Sequence, residues 1–193
     1  MFTERRRSIT VCCIAVIINA VCSLAARYLN LPLWLDTAGT VYAAMILGFP
    51  YGFLVGLVNN VFWSVVTHGQ NSLAFFIVSL TVAFIAAKVS PKPMKMSWRI
   101  FAKLFVLLFL LSTLLAFGTT AIVNSGIPSD YWGQELLYLF ESYGINPFLA
   151  LLLSIASIKM LDTIVTLIVV AAAIYLTPSK YLDATFVIRK LTI

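Results

Sequence analysis

Lys159 and Asp162 stand three residues apart inside a long apolar run, and they are the residues of this chain best placed to do chemistry. That spacing puts both on one face of a helix. An ionised group among apolar surroundings is costly and marks either a neutralised pair or a functional site. Two readings follow. The two side chains pair with each other, or Lys159, roughly 18 Å along the helix from Pro147, faces a polar cavity and meets an anionic group there. Asn59 and Asn60 add amides to another apolar run, and at least one must face the protein interior, because an unpaired amide in lipid is expensive. Asp36, Thr37 and Thr40 open a short apolar run, where the simplest role of Asp36 is to cap a helix. His68 is the single histidine and sits in the polar cluster His68-Gly69-Gln70-Asn71, which reads as a turn.

Covalent chemistry is not indicated. There is no glycine-rich phosphate loop, no metal-binding histidine pair and no nucleophile with a base. The expectation is therefore no enzyme, no cofactor and no ATP site in this chain. Cys12, Cys13 and Cys22 all fall in the first apolar run. Thiols buried in a helix behave as small hydrophobes, so neither a disulfide nor a metal site is expected from them.

The elements that must position these residues are membrane helices. Of 193 residues, 62% are hydrophobic and 10% charged, and the mean hydropathy is +1.01. Soluble domains hold about 45–50% apolar and about 25% charged residues. The length suits one domain, 1–193, and at about 20 apolar residues per crossing it allows five to seven spans. The net charge of +6 sits at the ends of apolar runs, as topology signals do, rather than in a nucleic-acid patch. Arg5, Arg6 and Arg7 precede the first run as in a signal peptide, but the run is too long and lacks a small-residue cleavage pattern, so a retained helix is expected.

The runs fall at 8–28, 36–48, 51–67, 72–89, 101–123 and 147–176. The second is only ~20 Å long as a helix, too short for an ordinary crossing. Phe49-Pro50-Tyr51-Gly52 is expected to break the chain between the second and third runs. Residues 131–143 read as an amphipathic helix: Leu136, Phe140 and Tyr143 recur at helical spacing, Ser129 or Asp130 caps the start, and Gly144 ends it. With six crossings and the N-terminus inside, Arg5–Arg7, Lys88–Lys103 and Lys180–Lys190 all face the cytoplasm, which the positive-inside rule supports. The expected architecture is thus an all-α six-transmembrane-helix bundle, N-in and C-in, with a short second helix and an outer amphipathic helix between helices five and six.

Small residues recur at four-residue spacing in two places. Gly48, Gly52 and Gly56 form one stripe. Ala15, Asn19 and Ser23, with Cys22 and Ala26, form another on the first helix. Such stripes allow close helix approach, and the second would seat either a neighbouring helix or another membrane subunit.

Leu31-Pro32-Leu33-Trp34-Leu35-Asp36-Thr37-Ala38-Gly39-Thr40, the Gly48-Phe49-Pro50-Tyr51-Gly52 break and Gly56-Leu57-Val58-Asn59-Asn60 together resemble the S components of energy-coupling factor (ECF) transporters. The Lys159-x-x-Asp162 feature, the six-run layout and the chain length fit the same family. The resemblance implies a multi-pass subunit of a bacterial plasma membrane that captures a water-soluble, vitamin-like small molecule from outside. It would work with an ECF transmembrane coupling subunit and two cytoplasmic ATPase subunits. Family members dock the coupling subunit through small residues on the first helix, often Ala-x-x-x-Ala. Here Ala15, Asn19, Cys22, Ser23 and Ala26 stand in for that pattern. The family's substrate sites lie in the outer half of the bundle, among the last three helices and the loops after helices one, three and five. Those loops carry Trp34, His68, Gln70, Asn71, Tyr131 and Trp132, and Asp36, Asn59, Asn60, Lys159 and Asp162 complete the expected substrate set. Aromatic faces with a few polar groups suit a flat heterocycle, although Trp and Tyr also gather at membrane interfaces for other reasons. Nickel and cobalt S components use an N-terminal histidine region, which Met1-Phe2-Thr3 lacks, so a metal substrate is not expected. The alternatives are a ligand-sensing membrane module or a stand-alone secondary carrier and, more remotely, a membrane enzyme or an assembly scaffold.

Overall fold

The structure is a computed structural model that describes residues 2–66, 71–90, 96–179 and 181–182. The regular structure among those residues is helical, with no strand among them. In chain order the helices are α1 (Phe2–Tyr28), α2 (Ala38–Leu47), α3 (Phe49–Val66), α4 (Asn71–Ala74), α5 (Phe76–Val89), α6 (Trp98–Val123), α7 (Tyr131–Ser142) and α8 (Pro147–Leu176). Four of them, α1, α3, α6 and α8, are long and apolar enough to cross a membrane. Only 28–44% of the most apolar window of each is buried inside the chain. The rest is an outward apolar surface far beyond the scattered residues a soluble protein shows to water.

The second apolar run has a different reason for being apolar. All ten residues of α2 are buried, because α2 is ringed by α1, α3, α5 and α8. At 1.5 Å per residue it is about 15 Å long, half the length of a crossing. Three glycines let the ring close. A Cβ at Gly39 would collide with the Ala15 carbonyl oxygen of α1, one at Gly52 would meet Ala44 of α2, and one at Gly56 would lie 2.8 Å from the Ser79 Cβ of α5. Asn19 of α1, itself fully buried, fixes the register of α1 on α2. Its Oδ1 accepts from the Gly39 amide at 2.6 Å, and its Nδ2 donates to Thr40 Oγ1 at 3.1 Å. Asn19→Ala is expected to cost about 1–3 kcal/mol, because it leaves a buried amide without an acceptor. A thermal melt of the detergent-solubilised protein reads this directly, and an unchanged melting temperature would refute the role.

The break after α2 is narrower than the sequence suggests. Gly48 alone turns the chain, at φ +94°, while its N–H still closes the last turn onto Ala44. Pro50 then sits in the first turn of α3, where its missing N–H has no intrahelical partner to lose. Gly48 therefore leaves the expected glycine stripe, and Gly52 and Gly56 carry the contact. The fourth run is divided into α4 and α5 at Phe75. Helix α6 begins at Trp98 because Ser97 Oγ accepts from the Ile100 amide. Helix α7 starts where expected, with Asp130 accepting from Gly133 N at 2.8 Å, and Gly144 follows it at φ +77°. Helix α8 spans the expected run, started by Asn146 and Pro147.

At the end of the bundle where α2 stops, Ser90 Oγ donates to the Met45 carbonyl and Tyr42 shares a 2.8 Å hydrogen bond with Thr177. The opposite end carries the α1–α2 connection and α7. Lys92, Lys95, Lys180, Arg189 and Lys190, on which part of the charge topology rests, lie outside the described residues.

Candidate functional site

The connection between α1 and α2, residues 30–37, is tied to the helices at its ends, where Leu31 N donates to the Ala26 carbonyl and the Thr37 carbonyl accepts from Val41 N, and residues 32–36 between them are irregular. It descends into the bundle because α2 is so short. Its backbone amides meet α8 there. Asp162, fifteen residues and about 22 Å from the start of α8, accepts with Oδ1 from Trp34 N at 3.1 Å and from Leu35 N at 2.7 Å. Leu35 holds a left-handed backbone, φ 49°, a conformation a branched residue keeps only where its surroundings enforce it. The two amide bonds to Asp162 are that enforcement.

The second oxygen of Asp162 accepts from Lys159 Nζ at 3.2 Å, and both side chains are buried. Lys159 Nζ also lies 4.3 Å from the centroid of the Trp34 ring, a cation–π distance. An ammonium has three donors, and one goes to Asp162, so donor capacity remains. Of the two readings of Lys159 and Asp162, the ion pair forms, and it does more than neutralise. It turns Asp162 into a clamp on a loop more than 120 residues away in sequence.

The loop is tied at two further points. Asn59 of α3 donates to the Asp36 carbonyl at 3.2 Å, and Trp132 Nε1 of α7 donates to the Asn30 carbonyl at 2.8 Å. Asp36 does not cap α2 through its side chain, since the residue at the N-cap is Thr37 and no side-chain cap bond forms. Instead Asp36 Oδ1 is buried without a hydrogen-bond partner, within electrostatic reach of Lys159, Asp162 and Arg27.

Beside the clamp is a cavity of about 10 Å³ among α2, α5, α6 and α8, room for about one water molecule. Val41, Val82 and Leu108 form its apolar wall. Lys159, Asp162, Thr37, Ser112, Thr163 and Thr166 form the polar one. Thr163 donates to the Lys159 carbonyl at 2.7 Å, whereas Thr166 Oγ1 is buried with no partner.

The structure thus brings together Trp34, Asp36, Asn59, Lys159 and Asp162, with Trp132 on the loop's other side. Asn60 is turned away and joins α3 to α5, donating to the Gly56 carbonyl and to Ser79 Oγ. Tyr131 is largely exposed and packs edge-on against Trp132. His68 and Gln70 lie outside the described residues, as does the side chain of Asn71, whose backbone opens α4. The α1 stripe is turned inward. Ala15, Asn19, Ser23 and Ala26 are buried within the chain and Cys22 is half-buried. Ala15 and Asn19 form the seat of α2, which leaves that stripe covered as a docking surface for another subunit.

Thr163 and Thr166 were not singled out from sequence, yet the signal is there. Residues 159, 162, 163 and 166 fall on one helical face, a polar stripe in an otherwise apolar helix. The arrangement holds no nucleophile–base pair, and no group of three metal-ligating His, Cys, Asp or Glu occurs among the described residues. What it offers is a shape-restricted, hydrogen-bonding pocket beside a tethered loop. No family model matches the chain, and no curated protein or solved structure matches it either.

Proposed function

We propose that this chain is the substrate-capturing S component of an ECF-type, ATP-driven importer. In this reading it crosses a bacterial plasma membrane six times, N-in and C-in. It binds a vitamin-like small molecule from outside and catalyses nothing itself. The observation that carries the reading is the tethered loop. Irregular backbone at membrane depth is tolerated only where protein covers it or a cavity lies beside it. Interrupted helices of this kind mark binding sites in membrane transport proteins. Trp34 and Leu35 of the loop meet Lys159 and Asp162, which lie well inside the apolar helix α8. The cavity beside them holds about one water as it stands, well below the roughly 300–1,000 Å³ of small-molecule sites. Capture therefore requires the loop to move outward and then close over the ligand.

The partners in this reading are the transmembrane coupling subunit and two cytoplasmic ATPase subunits. Co-expression with an ECF coupling module is expected to yield a complex that survives detergent purification and takes up substrate only with ATP. Failure to co-purify with any such module would overturn the reading. Uptake into vesicles by this chain alone would replace it with a stand-alone carrier, and ligand binding without any transport would replace it with a sensing module.

A further inference from the structure

Thr166 breaks the habit of its own helix. Along α8, Ser154, Ser157 and Thr163 each donate their hydroxyl to a carbonyl three or four residues back, the usual way a buried hydroxyl is satisfied within a helix. Thr166 is only 2% exposed, lines the cavity, and its Oγ1 has no partner. A buried hydroxyl without a partner destabilises the fold, so its placement is explained by something that enters the cavity. Lys159, on the same face about two turns earlier, brings N–H donors beyond the one given to Asp162.

Resting on the importer reading above, we infer that this cavity is the deep end of the substrate site. It receives an uncharged hydrogen-bond acceptor, such as the carbonyl oxygen of a neutral flat heterocycle, and it rejects carboxylates and phosphates. The chemistry follows from the charge count. The charged residues lining the cavity are one ammonium, Lys159, and one carboxylate, Asp162. Asp162 already neutralises Lys159 at 3.2 Å, and Asp36 Oδ1 has no partner of its own. An anionic ligand reaching Lys159 would place a second negative charge beside Asp162 away from bulk water, with one ammonium to serve both. A carbonyl oxygen accepts from Lys159 and Thr166 without that penalty. The apolar wall and the Trp34 ring suit the flat body that carries it.

The test uses the full-length protein in lipid nanodiscs and two rigid pairs that differ in one carboxylate: nicotinamide against nicotinate, and uracil against orotate. Binding is followed by calorimetry and by ligand-induced thermal shift. The neutral member of at least one pair is expected to bind, with its acid at least tenfold weaker. Thr166→Val is expected to leave the melting temperature of the empty protein unchanged or higher, while weakening the neutral ligand at least fivefold. Thr166→Ser, which keeps the hydroxyl, restores binding. Acids binding as tightly as their neutral partners, no binding by any of the four, or wild-type affinity in Thr166→Val would each overturn the inference. Co-purification with the coupling module does not depend on these outcomes, so a failure here is distinguishable from a failure of the importer reading.

Discussion

Asp162→Asn will destabilise the protein by about 3–5 kcal/mol, the cost of removing one partner from a buried ion pair. The substitution leaves Lys159 buried without its ion-pair partner beside the Trp34 ring, and it turns the strong acceptor of two loop amides into a weaker one. Lys159→Met should be milder, about 2 kcal/mol, because it removes one charge-assisted hydrogen bond and leaves Asp162 held by Trp34 N and Leu35 N. The double variant Lys159→Met with Asp162→Asn should recover much of the loss. The amide oxygen still accepts from the loop, and neither position of the pair is left charged without the other. Melting curves of the four proteins in one detergent decide the matter. If Lys159→Met proves costlier than Asp162→Asn, the grip on residues 30–37 does not come from the carboxylate. The same variants separate stability from binding, since the clamp and the cavity share Lys159 and Asp162 but Thr166 belongs to the cavity alone.

A single methyl group placed at Gly39 should be nearly as damaging. Gly39→Ala is expected to cost about 3 kcal/mol or more, at the upper end of overpacking effects, because the new Cβ meets the Ala15 backbone carbonyl and no side chain can swing aside. Helices α1 and α2 would have to separate, and the 2.6 Å bond from Gly39 N to Asn19 would lengthen or break with them. Gly118→Ala in α6 is the matched control, since nothing lies within 4 Å of its Cβ position. It should be close to neutral. Size-exclusion profiles after graded heating compare the two, and equal behaviour would mean that the α1–α2 contact is looser than described.

The sequence is a good guide wherever the signal is local. Asp130 and Gly144 bound α7, and Asn146 with Pro147 starts α8, because caps and prolines act within one turn. Gly48 and Pro50 show where local signals mislead: proline is compatible with a first turn, so the glycine takes the whole break. The apolarity of α2 was ambiguous in principle. Hydropathy reports that a residue avoids water, not whether lipid or protein surrounds it. Adjacent residues on a helix point about 100° apart, so Asn59 and Asn60 could not both serve one site, and nothing in the sequence says which would. The α1 stripe shows that small residues need a close neighbour without saying which. The spacing of Lys159 and Asp162 allowed their pairing without deciding it, and the loop amides from which Asp162 accepts lie at the other end of the chain.

The full burial of α2 has an electrical consequence. Over the length of that helix the middle of the bundle is filled by ten buried residues and fastened at its far end through Met45 and Tyr42 to Ser90 and Thr177. In a bilayer that filling leaves no open water path along α2. A membrane could then hold many copies of the chain without short-circuiting its ion gradients.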